Sequence, residues 1–404
     1  MAANKFAFDH PDDALTALAD RLGTAKNEDA VSIDDCFGRV LAGDVVADRD
    51  SPAADVSAMD GYAIRMSDLV PDAEIPIGGE SAPGTPPPAM TTGAVIRIFT
   101  GAIVPDGSEA VIKREDTEEL DGAIRFRPSA LTTPPGEHIR RAGENAKAGS
   151  TVLSGGINIT AAHLATMANF GCDRTDVHSR VRVSIITTGD EVGSVSNEKP
   201  QPWQLRNSNR ASLGGVLAEK GWIDRPTSDH CLDDRQTLTD MLAARLEQSD
   251  AVLLTGGVSM GDYDYVPDVV REVGGEVVFH GLPIRPGKPI LGAATGDGKL
   301  IIGLPGNPVS ATIGCRRMAL PLLAKLSGQT NWQQPCALVG LIGAGDKCIP
   351  LHWMRLARLT DHGIAQTVMS QGSGDLVSLG QSTGFVHVPP GQSGEGPWPY
   401  YGWN

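Results

Sequence analysis

Apolar positions along this chain follow three successive rhythms. Near the start, Ala14, Leu15, Leu18, Ala19 and Leu22 recur at helical spacing, which predicts a helix over residues 12–22. Residues 31–46 read as a helix passing into a strand. From about Asp48 to Glu144 the apolar runs are short and broken by Pro and Gly: residues 75–77, 94–99, 110–113 and 123–126, with a Pro86-Pro87-Pro88 turn between. That is the rhythm of a small β domain. Helical spacing returns at residues 160–170, so the β-rich segment 48–145 reads as an insertion into a first domain made of 1–47 and 146–179. From Arg180 the pattern alternates. Strands are predicted at 181–187, 222–226, 251–254, 276–279, 289–293 and 299–303, and helices at 209–220, 233–247, 265–273 and 311–326. Alternation of this kind predicts a doubly wound α/β domain over 180–326, with ligands at the carboxyl ends of its strands. Ser327-Gly328-Gln329 marks a boundary. Residues 327–404, with apolar runs at 337–342, 351–359 and 384–388, read as a C-terminal β domain. The predicted fold class is a multidomain α/β protein.

Bulk properties narrow the function. A chain of 404 residues has room for two to four domains. Its 48 glycines and 28 prolines favour turns and short strands over a helical bundle. A net charge of -15 argues against a nucleic-acid partner. It also gives weight to any cations gathered near a glycine loop. The six cysteines show no C-x-x-C spacing and read as reduced thiols of a cytoplasmic protein. Met1 to Pro11 carries no signal-peptide pattern, and no apolar run approaches membrane-spanning length.

The chemistry centres on the stretch Asp250 to Asp264, D-A-V-L-L-T-G-G-V-S-M-G-D-Y-D. A strand passes through Gly256, Gly257 and Gly261 toward a helix, which presents backbone N–H groups and the positive end of a helix dipole to an anion. Asp262 and Asp264 stand at its edge, where carboxylates beside phosphate usually imply a divalent cation. A second strand–loop–helix unit comes next, with the loop Pro305-Gly306-Asn307-Pro308-Val309-Ser310. Two such units suggest two anion cradles on one sheet edge. Gly281 to Lys288 has the wrong spacing for a Walker A loop, and Gly256 to Gly261 is not G-x-G-x-x-G. Between the cradles, Arg285-Pro286-Gly287-Lys288-Pro289 holds two cations in an unusually stiff turn.

Together, G-G-V-S-M-G-D and G-L-P-G-N-P-V-S resemble the molybdopterin molybdenumtransferase family, which includes the C-terminal domain of gephyrin. The resemblance extends over nearly the whole chain. It is strongest at residues 57–63 (S-A-M-D-G-Y-A), 100–117, 187–191 (T-T-G-D-E), 255–264 and 303–310.

Carried over residue by residue, it implies catalytic roles for Asp60, Glu191, Asp233 and Asp264, with Asp264 and Glu191 as ligands of Mg²⁺. It implies substrate contacts at Thr100, Gly256, Gly257, Ser259, Gly261, Pro305, Gly306, Asn307 and Pro308. It implies molybdate contacts at Arg285, Lys288, Pro289, Arg355 and Ser373. Three positions depart from the family pattern. Asn145 stands where an acid ends R-x-x-G-E-D, Asn207 where an acid commonly precedes S/T-N, and Gly281 where a Lys is frequent. Asn209 opens a helix and reads as its cap. The nine histidines have no metal-ligand spacing.

The implied reaction joins molybdate to adenylylated molybdopterin, giving molybdenum cofactor and AMP. The implied assembly is a homodimer, because Asp60 lies in the inserted segment. Transient contacts are implied with molybdopterin adenylyltransferase and recipient molybdoenzymes. Two alternatives remain: the adenylyltransferase of the same pathway, which resembles residues 180–326 alone, and a non-catalytic cofactor carrier or scaffold.

Overall fold

Residues Ala251–Thr255 are buried at every position, as a strand covered on both faces must be. In a computed structural model, which describes residues 6–24, 27–193, 198–259, 264–333 and 335–403, this strand lies within a six-stranded sheet. The order is Thr227–Cys231, Val183–Thr188, Ala251–Thr255, Leu300–Leu304, Leu291–Thr295 and Gly275–His280. The first four strands run parallel and the last two antiparallel to their neighbours. Alternation along the strands feeds two cores. Ile185, Leu253 and Ile302 pack with Leu213, Leu217 and Ile313 on one face. Ile186, Leu254 and Ile301 pack with Leu238, Leu242 and Val269 on the other. Helices therefore cover both faces, as the alternating sequence predicts.

The chain forms two compact units. One comprises Met1–Gly43, Gly155–Leu164 and Arg174–Asn404, the other Asp44–Ser154 and Ala165–Asp173. Besides the central sheet, the first unit holds a ring of five strands. His352–Leu359 pairs with Ile364–Thr367, next come Ala337–Ile342, Trp398–Gly402 and Gly384–Val388, and the last pairs back onto His352–Leu359. Closure leaves no free edge in the ring. The two-residue strand Ile284–Arg285 joins this ring by pairing in parallel with His352 and Trp353. The second unit is built on a six-stranded sheet in the order Ala110–Lys113, Gly61–Ile64, Val95–Ile98, Glu74–Ser81, Ala123–Phe126 and Thr117–Glu119.

Two local expectations fail. No helix occupies residues 31–46. Asn27–Ser32 is a strand paired with Arg174–His178, succeeded by one 3-10 turn at Ile33–Asp35 and a strand at Val45–Val46. Val31, Ile33, Val40, Val45 and Val46 are β-branched, and Gly38 turns the chain at φ 74°, so extended backbone wins. The edge strand of the central sheet is Thr227–Cys231, not residues 222–226. Those earlier residues make only a bridge between Ile223 and Val181, and Pro226 lacks the N–H a ladder needs. Among the described residues no helix is long and apolar enough to cross a membrane.

In the second unit, Gly61 lies against the neighbouring strand so closely that a Cβ would sit 1.9 Å from the Ile112 carbonyl oxygen. The obstacle is backbone, which has no rotamer to yield. Gly61→Ala should therefore destabilise this unit by about 1–3 kcal/mol, the scale of overpacking. Thermal unfolding followed by circular dichroism checks this, and an unchanged transition would refute it.

Candidate active site

The parallel register sets Thr187, Thr255 and Leu304 level with one another on adjacent strands. Three loops therefore leave the sheet side by side. At the middle one, Gly256 adopts φ 92°, and a Cβ there would meet the Thr188 hydroxyl oxygen at 2.4 Å. Both the conformation and the space demand glycine. Gly257 comes next at φ 62°, and its carbonyl accepts from Val266 N at 3.0 Å, closing the loop onto the helix Val266–Glu272. Ser259 is exposed. Gly261 and Asp262 lie outside the described residues, and Asp264 resumes the chain half-buried beyond them.

The next loop touches the first. A Cβ on Gly306 would lie 3.6 Å from Gly256 Cα, and Gly256 N donates to Leu304 O at 3.1 Å. Pro305 is buried while Gly306 and Asn307 are exposed. Asn307 precedes the helix Pro308–Gly314 without bonding its first turn, so its amide remains directed elsewhere. That helix continues through a π turn at Cys315–Ala319 into Leu320–Leu326. Its dipole is therefore that of a long helix, with the positive end at Pro308.

The basic turn meets the same helix start. A Cβ on Gly287 would lie 4.0 Å from Ser310 O, and Ser373 O accepts from Val309 N at 3.0 Å. The Arg285-to-Pro289 turn and the Ser373 turn thus converge on Val309 and Ser310. Arg285 and Lys288 are exposed, and Pro289 is half-buried. Arg285 is paired across strands with Trp353, and Arg355 stands two residues further along that strand, on the same face as Trp353. Arg355 is 9% exposed, donates to Ala344 O at 2.6 Å, and lies 4.5 Å over the Trp353 ring. Burial lowers its pKa without removing its charge.

Glu191 and Asp233 come together with Asp190. Glu191 folds back over Gly189, and Asp190 accepts from Asp233 N at 3.0 Å. Burial pushes the Asp233 carboxyl up, and the charges of Asp190 and Glu191 push it the same way. The helix cap is its neighbour Asp234, which accepts from Thr237 N at 2.8 Å. Among the described residues, no three His, Cys, Asp or Glu side chains are grouped so as to hold a metal ion.

Asp60 and Thr100 form a pair of their own in the second unit. Thr100 donates both its N–H and its hydroxyl to Asp60 Oδ1, each at 2.7 Å. These bonds, the N–H first, hold the Asp60 carboxyl below the usual range.

Several residues have roles that sequence reasoning missed. Asn207, not Asn209, caps the helix Ser208–Ala218 by accepting from Arg210 N at 3.0 Å. Asn209 instead donates to Gly306 O at 2.8 Å, and its own amide oxygen is buried with no hydrogen-bond partner. That geometry leaves an acceptor beside the second glycine loop. Its signal was an Asn one residue inside a helix, where propensity disfavours it. Phe6 also went unnoticed. Its ring lies 5.5 Å from Lys288 Nζ and 3.9 Å from where a Gly281 Cβ would be. Gly281 itself has φ 86°, so a lysine there would be strained. Asn145 accepts from Arg140 at 2.9 Å, an arrangement that does not require a negative charge. His10, His352 and His387 gather in the first unit, where burial drives the His387 pKa down to about 3 and keeps it neutral.

The parallel strands of the central sheet carry glycine loops at their carboxyl edge, and the Arg285-to-Pro289 turn packs beside a helix start next to them. The "Probable molybdopterin binding domain" family matches residues 184–325, and the "MoeA N-terminal region (domain I and II)" family matches residues 10–171. The chain is 34% identical to the molybdopterin molybdenumtransferase of Haemophilus influenzae, over 80% of this chain and 79% of that one. It is 34% identical to the molybdopterin molybdenumtransferase of Synechococcus elongatus, over 88% of each. The crystal structure of the molybdopterin biosynthesis moeA protein from Pyrococcus horikoshii superposes with a TM-score of 0.77 at 26% identity, covering 97% of both chains. The chain belongs to the molybdopterin molybdenumtransferase family.

The Asp60–Thr100 pair gives a pH test. Its folded pKa is depressed, so the stability it contributes is present above the unfolded value of about 3.9 and is lost as pH falls through the folded value. Thr100→Val removes the hydroxyl donor and keeps the N–H. The Asp60 carboxyl should then titrate at higher pH than in the parent, read by carbon NMR of the labelled side chain. An unmoved titration would show that the hydroxyl bond does not form in solution.

Proposed function

We propose that this enzyme inserts molybdenum from molybdate into adenylylated molybdopterin and releases AMP. What carries the reading is the convergence of the basic turn and the Ser373 turn on Val309 and Ser310, beside two touching glycine loops. A dianion needs cations and N–H donors in place of water, and phosphates need backbone cradles at helix starts. The basic turn and the two glycine loops lie at neighbouring points of one sheet edge, which supports this reading.

In this reading the loops of Gly256, Gly257, Ser259 and Gly261, and of Pro305, Gly306, Asn307 and Pro308, hold the phosphates and the pterin. Asn209 Oδ1 accepts a hydrogen bond from the ligand. Arg285, Lys288, Pro289, Arg355 and Ser373 hold molybdate beside the pterin sulfurs. Asp60 and Thr100 serve the same reaction. The acids present suit a divalent cation. Mg²⁺ is usually held by one or two carboxylates plus substrate phosphates, so a three-residue cage is not required. The crowding of Asp233, Asp190 and Glu191 is the electrostatics that a cation relieves. Mg²⁺ held by Asp264 and Glu191 would draw charge from the pyrophosphate; Asp233 then stands free to orient water. We also propose that the chain acts as a homodimer.

Release of AMP from adenylylated molybdopterin should depend on molybdate, measured by chromatography of the products. Pyrophosphate release from ATP and molybdopterin would instead make the chain an adenylyltransferase, and binding without turnover would make it a carrier. Lys288→Gln should raise half-saturation by molybdate about ten- to a hundredfold, because a charge-assisted contact is worth about 1.5–3 kcal/mol. Pterin binding should be nearly intact. Weakened pterin binding with unchanged molybdate use would assign these cations to the phosphates. Light scattering should give twice the mass of the chain, and a fully active monomer would sink the dimer.

A further inference from the structure

Away from the glycine loops, the first unit contains a cavity of about 400 Å³. Its wall carries three cations, Lys220, Arg316 and Arg317, and one carboxylate, Asp12. In a chain of net charge -15 that excess is unusual. Asp12 is committed to Arg317, which is 4% exposed and donates to it at 2.5 Å. Arg317 Nε is nonetheless buried with no hydrogen-bond partner, and so is Asn158 Oδ1 on the same wall. Arg316 directs Nε to the Gly402 carbonyl at 2.7 Å, which leaves its two terminal nitrogens for other partners.

On the described wall, Lys220 and Arg316 have no such counter-charge. Burial lowers the Lys220 pKa, and Arg316 lowers it further, ahead of the opposing influence of Glu219. Burial also lowers that of Arg316. Two partly desolvated like charges facing one cavity raise the free energy of the empty state, and an anion between them would lower it. Trp332, half-buried on the cavity wall, offers an apolar surface beside them.

We propose that this cavity binds a small organic phosphate, its dianionic head between Lys220 and Arg316 and a flat ring against Trp332. A phosphate matches two unneutralised cations better than a carboxylate does, and arginine recognises its oxygens in pairs. This site is separate from the one proposed for molybdate.

Isothermal titration of the full-length protein with phenyl phosphate tests the proposal, with inorganic phosphate and benzoate as comparison probes. Phenyl phosphate should bind saturably, at least about tenfold more tightly than either, since the extra ring burial and the second charge are each worth about 1.4 kcal/mol or more. Lys220→Met should weaken it about tenfold or more, and Lys220→Arg should keep it. Trp332→Leu should erase the advantage over inorganic phosphate. Lys288→Gln should leave phenyl phosphate binding unchanged. Absence of saturable binding, equal affinity for all three probes, or binding that follows Lys288 rather than Lys220 would each overturn the proposal.

Discussion

Three parallel strands that end at one level leave very little room for the loops beyond them. At Gly256 the margin is smaller than a methyl group, because Thr188 from the adjacent strand already fills that volume. The neighbouring loop then approaches Gly256 across Gly306. The proposed ligand cradle is thus a consequence of crowding. Glycine is required at Gly256 because a side chain has no room in front of the loop. Fully buried strands on both faces hold the arrangement rigid, and the loops need contribute little stability of their own.

Charge is organised on a similar principle of separation. Acids collect around Asp233, and cations collect at the Arg285-to-Pro289 turn and along the strand carrying Arg355. Two of these cations rest against aromatic rings. Lys288 has the Phe6 ring as its neighbour, and Arg355 has Trp353 and a carbonyl. Aromatic faces stabilise a cation without neutralising it, so charge remains to act on a ligand.

Much of this was legible in the amino-acid order alone. Five of the six strands of the central sheet announced themselves as apolar runs, whereas the edge strand Thr227–Cys231 carries none, and the ring strands Ala337–Ile342 and Gly384–Val388 were read to the residue. Those signals are local, and in the inner central strands burial on both faces imposes an unbroken apolar run. What escaped was set by tertiary approach. Asn209 reads as a cap until Gly306 is seen beside it. Phe6 has no pattern around it, and its relation to Lys288 depends on contacts across most of the chain. The misread helix at residues 31–46 failed because pairing with Arg174–His178, far away in sequence, overrode local spacing. The departure at Gly281 is likewise explained only by the backbone conformation there.

The two-residue strand Ile284–Arg285 has a mechanical meaning. It is hydrogen-bonded to the ring, yet it leads within three residues to Lys288, whose turn packs at the start of a central helix. The ring and the central sheet are therefore linked through the very segment that carries the cations. Pro286 and Pro289 fix φ on either side of Gly287 and so restrict the backbone of that segment. The cations thus sit on a backbone that belongs to the ring at one end and to the helix start at the other.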